Sequence, residues 1–279
     1  MYDSHAHVIS GNVRDFPPVA GADSTVVAKL ATPFTAETLL AAMDRQGVGK
    51  ALLVQRGQVY GYDNRYVIAA AATSGGRLKA VCGIDATDPD CGGQVRDLHA
   101  QGAAGVRLMA PMGERGFEWL DGAQADGFWR ASADLGVPVC VHFFPWNRDE
   151  GMQRLGHLLD RYSIADLVID HLANGPIASA EACGIDDLLR RLSERRNVAL
   201  KFTAIPLNDL MDRGIDAGAV VGAYLELFGP DRLLWGSDVT QSRGEYGDLV
   251  ASGRAAIAFL PAAVQDALLR ANVARIYAL

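Results

Sequence analysis

Eight times along this chain an apolar stretch of β-forming residues is followed by an amphipathic helical stretch. No other feature restricts the fold as much. The β-type runs are residues 3–9, 51–55, 78–84, 105–109, 137–142, 167–171, 198–202 and 233–236. Most are continuous Val/Leu/Ala runs, the pattern of parallel strands covered on both faces. Thr35 is expected to cap a helix that carries Leu39, Leu40 and Met43 on one face and stops at Gly47. Asn64 is expected to cap the next, through residues 66–72, and Asp88-Pro89 to open a third. Leu155, Leu158, Leu159 and Tyr162 form one helical stripe. Similar stretches fall at 128–135, 187–192, 219–228 and 261–270. This alternation predicts one α/β domain, residues 1–279, folded as a (β/α)8 TIM barrel. The rival, an open doubly wound sheet, ordinarily carries a Gly-rich phosphate turn, and neither GxGxxG nor GxxxxGK[ST] occurs. The segment 10–33, with Phe16-Pro17-Pro18, is long for a loop after a barrel strand and is expected to shape a pocket.

Charge narrows the partners. Lys and Arg number 26 against 33 Asp and Glu, a net charge of −7 without a basic run. Nucleic acid and anionic membrane surfaces are therefore not expected partners. No apolar run reaches the ~18–20 residues of a membrane span. The start MYDSHAHVIS has no cationic segment leading an apolar one, so it is not read as a signal peptide. Cys82, Cys91, Cys140 and Cys183 form no CxxC pair and are expected to be buried, reduced thiols of a cytoplasmic protein. A homo-oligomer is compatible with this composition.

In a parallel barrel the chemistry sits at the C-terminal ends of the strands. The first run holds Asp3-Ser4-His5-Ala6-His7, whose two histidines point to the same side. The fifth ends at His142, the sixth at Asp170-His171, and the eighth at Trp235-Gly236-Ser237-Asp238. A single strand-end histidine is ordinarily a hydrogen-bonded polar residue. An HxH pair together with His142, His171 and Asp238 on three other strands is not explained that way. Neutral imidazoles and a carboxylate suit Zn²⁺ or a similar divalent ion with an open position for water. His99 and His157 lie in helical stretches and are read as surface residues.

The DSHAH start, the VPVCVH and VIDHLAN runs, the LLWGSDV ending and the closing NVARIYAL resemble the amidohydrolase superfamily along essentially the whole chain. More narrowly they resemble its amidohydrolase-related branch, which holds pyrone-dicarboxylate, sulfomuconolactone and sugar-lactone hydrolases as well as decarboxylases. Residues 54–64, VQRGQVYGYDN, are similar to the lactonase side. The resemblance implies one divalent metal, Zn²⁺ by expectation, on His5, His7, His142 and Asp238, with His171 beside the substrate or the attacking water. The fourth run, Gly105-Val106-Arg107-Leu108-Met109, has no lysine to carry a bridging carboxylate, which argues for at most one ion. Part of that branch is similar in motif yet works without metal, so metal-free operation stays open.

Cations near strand ends speak to the substrate. Arg107, Lys201 and Arg56 are candidate carboxylate binders, with Arg148 a weaker one, and Tyr60 and Tyr62 could bond a ring substituent or cover the barrel mouth. The run Phe143-Phe144-Pro145-Trp146 is read as an apolar pocket wall. The leading expectation is a hydrolase that opens a carboxylated lactone, with Asp238 shuttling the proton. Non-oxidative decarboxylation of an unsaturated or aromatic acid is the alternative, and a barrel that only binds a small carboxylate is the third reading.

Overall fold

Residues two apart on a strand share a face, and that parity sorts the strand residues into two cores. The computed structural model describes residues 1–20, 24–111 and 115–279. Eight parallel strands pair in chain order: β1 (Tyr2–Ala6), β2 (Lys50–Val54), β3 (Leu78–Gly83), β4 (Gly105–Met109), β5 (Val139–His142), β6 (Leu167–Ile169), β7 (Val198–Thr203) and β8 (Leu233–Gly236). Helices lie between them, giving a nearly closed (β/α)8 barrel. One parity, including Leu53, Val141, Leu200 and Trp235, packs outward against helix residues such as Leu39, Phe128, Leu155 and Tyr224. The other, including Leu52, Val81, Cys140, Val168, Ala199 and Leu234, fills the barrel with Val273, Ile276 and Tyr277 of helix Asn272–Tyr277. Two residues further along these inward rows come His142, Asp170 and Lys201. Arg107, on β4 two strands from β6, joins that layer through its contact with Asp170.

The helices follow the caps only in part. Thr35 caps Ala36–Gln46 by accepting from Thr38 N, and Gly47 ends it at φ 66°, a left-handed conformation that glycine takes without strain. Asn64 precedes helix Arg65–Thr73 but does not cap it. Its side chain is taken by β3, accepting from Gly83 N at 2.8 Å and donating to Gly83 O at 2.9 Å. Asp88 serves the turn before helix Cys91–Ala100, accepting from Asp90 N at 2.8 Å, rather than the helix itself. The long segment after β1 holds a helix of its own, Ser24–Ala31, while residues 21–23 of it lie outside the described residues. All four cysteines are free and buried, and His99 and His157 are exposed. Among the described residues no single helix is long and apolar enough to cross a membrane.

Where β8 returns to β1, a buried carboxylate seals the seam. Asp3 Oδ1 accepts from His5 N at 3.0 Å and Ser237 N at 2.9 Å, and Oδ2 accepts from Tyr246 OH at 3.2 Å. Asp238 N donates to His5 O at 2.6 Å. The glycine of WGSD is required here, since a Cβ on Gly236 would sit 2.6 Å from His5 Cβ. The register of β1 against β2 also slips between Asp3 and Ala6, a bulge that re-aims side chains beside a site. Asp3→Ala should therefore destabilise the fold by ~3 kcal/mol or more in chemical denaturation, because two buried N–H groups lose their acceptor at ~1–3 kcal/mol each. Tyr246→Phe, which removes the donor to Oδ2 but leaves both backbone N–H groups their acceptor, should cost less, ~1 kcal/mol. Equal losses would mean that Asp3 does not hold the seam.

Candidate active site

Each imidazole of β1 is held by its far nitrogen. His7 Nδ1 lies 2.7 Å from Val54 O and must donate to it, and His5 Nδ1 lies 3.2 Å from the Asp170 carboxylate. With the protons assigned to Nδ1, both Nε2 atoms present lone pairs. They face one another at 3.3 Å, and Asp238 Oδ1 lies 3.2 Å from that of His7 and 3.5 Å from that of His5. Asp238 Oδ1 has no hydrogen-bond donor, although Oδ2 accepts from Ser242 Oγ at 3.0 Å. Three buried acceptors turned on one another repel unless a cation lies between them. Tetrahedral bonds of ~2.0–2.2 Å place ligand atoms roughly 3.3–3.6 Å apart, which is the spacing of this trio. His5, His7 and Asp238 thus fit one divalent ion.

His142 stands outside that trio. Its ring packs edge-on against Phe144 and His171, with centroids 4.7 and 5.0 Å away, and its Nδ1 is buried without a partner. The ligand set implied by resemblance is therefore brought together in three members, with His142 beside His171. A second convergence, of His5, Asp170 and His171, also has the spacing of ligands. Lys201 and Arg107 already occupy Asp170, with Lys201 Nζ 3.2 Å from Oδ1 and Arg107 Nε 2.9 Å from Oδ2. Two fixed cations there would repel a third.

Burial sets the protonation states. It pushes all four imidazoles below their ordinary value, His5 and His142 furthest, so each is neutral near pH 7 and competent as a ligand. Burial alone would raise the carboxylates. In Asp170 it is outweighed by Lys201, His5 and Arg107, and Asp238 too is held below the usual carboxylate range by the rings packed around it, His7 first and then His171 and His5. Lys201 stays protonated because Asp170 outweighs its burial.

His171 opens an unusual piece of backbone. His171, Leu172, Ala173 and Asn174 all have positive φ, between 49° and 56°, although none is glycine. Left-handed residues cost roughly 1–2 kcal/mol each, so the turn must be held from outside. Arg148 Nε donates to Ala173 O at 3.1 Å, Asn174 Nδ2 to Phe143 O at 2.6 Å, and Tyr224 OH to Leu172 O at 3.3 Å. His171 itself is tied through Nδ1 to Thr203 Oγ1 at 2.5 Å. This turn is also why β6 stops at Ile169, two residues before the expected end.

A cavity of about 300 Å³ opens over the site. His7, His142, His171 and Asp238 line it, with Arg56 and Arg107 on one side and Met109, Phe144, Pro145 and Ile205 as apolar wall. Arg56 is buried; among the described residues its Nε has no partner and its Nη2 reaches Thr240 O at 3.4 Å. Burial lowers its pKa to about 10, so it remains charged. Arg107 faces the same space with one nitrogen committed to Asp170.

Three candidate binders sit elsewhere. Lys201 is fully buried beneath the site, between Asp170 and the Tyr277 ring, and does not line the cavity. Tyr60 is buried and accepts from Ser10 N at 2.8 Å, anchoring the segment after β1. Arg148 is spent on Ala173 O, Asp149 and Asp186. Conversely, Gln58 on the one-turn helix Gly57–Tyr60, Asn174 at the end of the turn after β6 and Gln241 after β8 line the cavity, where no periodicity marks them, and the central role of Asp170 shows only once the strands are in register.

Strand-end imidazoles and a carboxylate at the mouth of a (β/α)8 barrel are the architecture of an amidohydrolase. The amidohydrolase family model matches residues 2–279, so the chain belongs to that family and is an enzyme of hydrolase class. Among its relatives, the 4-sulfomuconolactone hydrolase of Rhizobium radiobacter is 28% identical over 250 residues, 85% of this chain and 74% of that protein. A Pseudomonas putida structure named for 2-pyrone-4,6-dicarboxylic acid hydrolase superposes with a TM-score of 0.79 at 24% identity, over 99% of this chain and 97% of that one. The 5-carboxyvanillate decarboxylase of Sphingomonas paucimobilis superposes with a TM-score of 0.66 at 17% identity, over 100% of this chain and 98% of that one. The two structural likenesses show a shared fold.

Two outcomes test the site. Elemental analysis should find about one divalent ion per chain, lost in His7→Ala and kept in His142→Ala; loss in both would return His142 to the ligand set. Arg148→Met should lower kcat at least ~10-fold with little change in KM, since small displacements of a catalytic group cost up to ~10²-fold. An unchanged kcat would show that His171 keeps its place without that clamp.

Proposed function

We propose that this chain hydrolyses a lactone bearing carboxylate groups. The observation that carries the reading is Arg56, a buried cation whose Nε has no partner, lining the same cavity as Asp238 and His171. An unpaired buried charge is costly, and a substrate carboxylate on the guanidinium would relieve it. The sulfomuconolactone hydrolase relative supports the same chemistry.

A divalent ion on His5, His7 and Asp238 would supply Lewis-acid polarisation and ease the deprotonation of water. The residues of the chain do the rest. Arg56, helped by the uncommitted part of Arg107, orients the ring by its carboxylate. Asp238, ionised and buried, takes a proton from water as the water oxygen bonds to the lactone carbonyl carbon. His171, tied through Nδ1 to Thr203, has Nε2 left to bond the carbonyl oxygen as it gains charge. The ring C–O bond then breaks, and the leaving oxygen takes the proton back from Asp238. The product is a ring-opened hydroxy acid or its keto tautomer. Decarboxylation of a related acid would use the same cations, and product analysis separates the two, since it yields CO₂ and no ring-opened acid.

Asp238→Asn should keep the fold and retain less than about a tenth of the activity, because general acid–base groups contribute ~10²–10⁴-fold. Arg56→Met should lower kcat/KM about 10²-fold for a carboxylated lactone, or ~2.7 kcal/mol, and far less for a neutral sugar lactone. Equal losses on both would reject carboxylate recognition by Arg56. Arg107→Met should impair both substrates, since it also strips a partner from Asp170.

A further inference from the structure

The catalytic cavity is bordered by a second one. A second cavity of about 680 Å³ shares Arg56, Gly57, Gln58, Met109 and Gln241 with it. Gly57 and Met109 meet on the boundary between the two, where a Cβ on Gly57 would lie 3.3 Å from Met109 Cε, the end of a flexible side chain. Beyond that boundary the walls are largely apolar, from Val19, Val26, Tyr62, Ala110 and Pro111. The segment after β1 is fastened over this chamber by Val19 N donating to Val59 O at 2.8 Å. Gly61, at φ 57°, lets that segment approach, since a Cβ there would meet Val19 Cγ1 at 3.1 Å. No carboxylate lines the outer chamber among the described residues, whereas Arg56 and Lys29 do.

From this we infer that the substrate is an elongated acidic lactone, with an apolar arm that leaves the ring, passes Arg56 and lies in the outer chamber. The inference rests on the lactonase reading and specifies its substrate class. The inner cavity is at the small end of the ~300–1,000 Å³ typical of ligand sites, enough for one ring with its acidic groups. The outer one is more than twice that size and borders it along five shared residues. An apolar arm there would remove apolar surface from water at ~0.8 kcal/mol per buried CH₂. A cationic arm is disfavoured by Arg56. The shared boundary sorts the molecule: its acidic group stays beside Arg56 and the apolar part goes beyond Gly57 and Met109.

The test uses two lactones with the same carboxylated ring, one bare and one carrying a hexyl or phenethyl arm. The armed lactone should have a kcat/KM at least ~10-fold higher, which a few buried CH₂ groups would supply. Thr25→Trp, on the exposed side of helix Ser24–Ala31 at the chamber wall, should bring the ratio of the two values near one. Equal kcat/KM for both lactones, or a ratio that Thr25→Trp leaves unchanged, overturns the inference while leaving lactone hydrolysis standing. If neither lactone is opened, the lactonase reading falls and the inference falls with it.

Discussion

One buried carboxylate organises the mouth of this barrel. Asp170 has no contact with water, yet it meets Lys201 from β7, Arg107 from β4 and His5 from β1. Each of these charges would be expensive alone. Together they compensate one another and fix four strands in one register. The consequences run upward. Asp170 sets the tautomer of His5, which aims its Nε2 at His7 and Asp238. It holds Arg107 by one edge, so that the rest of the guanidinium faces the cavity. The left-handed turn that carries His171 starts at the very next residue.

Above that hub the site is built from acceptors that do not satisfy one another. His5, His7 and Asp238 converge with lone pairs inward, and Arg56 contributes a charge with an unpartnered nitrogen. Buried polar groups are normally paired, and here the exceptions gather in one place. The two kinds of deficit are complementary in sign. The trio has no ion between its lone pairs and Arg56 has no anion on its Nε, although Asp238 lies near enough to favour its charge, and all four line or border one cavity. A carboxylated substrate held over a divalent ion answers both.

Much of this could be read in the residues themselves. The eight strands were legible because both-face burial writes continuous Val/Leu/Ala runs, and the convergence of His5, His7, His171 and Asp238 followed from their places at strand ends. What could not be read depended on register and on rotamers. Lys201 and Arg107 look alike in sequence, each a charge inside an apolar strand. Only the three-dimensional arrangement puts Lys201 underneath Asp170 and Arg107 level with the cavity. Tyr60 sits in a motif that suggested substrate contact, but its hydroxyl serves the backbone of Ser10. Arg148 seemed a loop cation, and it is instead the donor that steadies Ala173. Four consecutive left-handed residues without a glycine leave no compositional mark at all, since HLAN contains nothing that demands such a backbone.

The floor of the barrel has a further consequence for how the chain must be made. Val273, Ile276 and Tyr277 pack inside the barrel with residues of β2, β3, β5, β6, β7 and β8, and the Tyr277 ring lies under Lys201. A ribosome delivers these residues long after β1 to β8 have emerged. Until they arrive, the cylinder of strands is open at its base and the charged layer around Asp170 is accessible to solvent from below. Water would then screen the very attractions that fix the register of the strands. The barrel is therefore expected to stay loosely ordered until the helix Asn272–Tyr277, which follows all eight strands in the chain, slides in as a stopper.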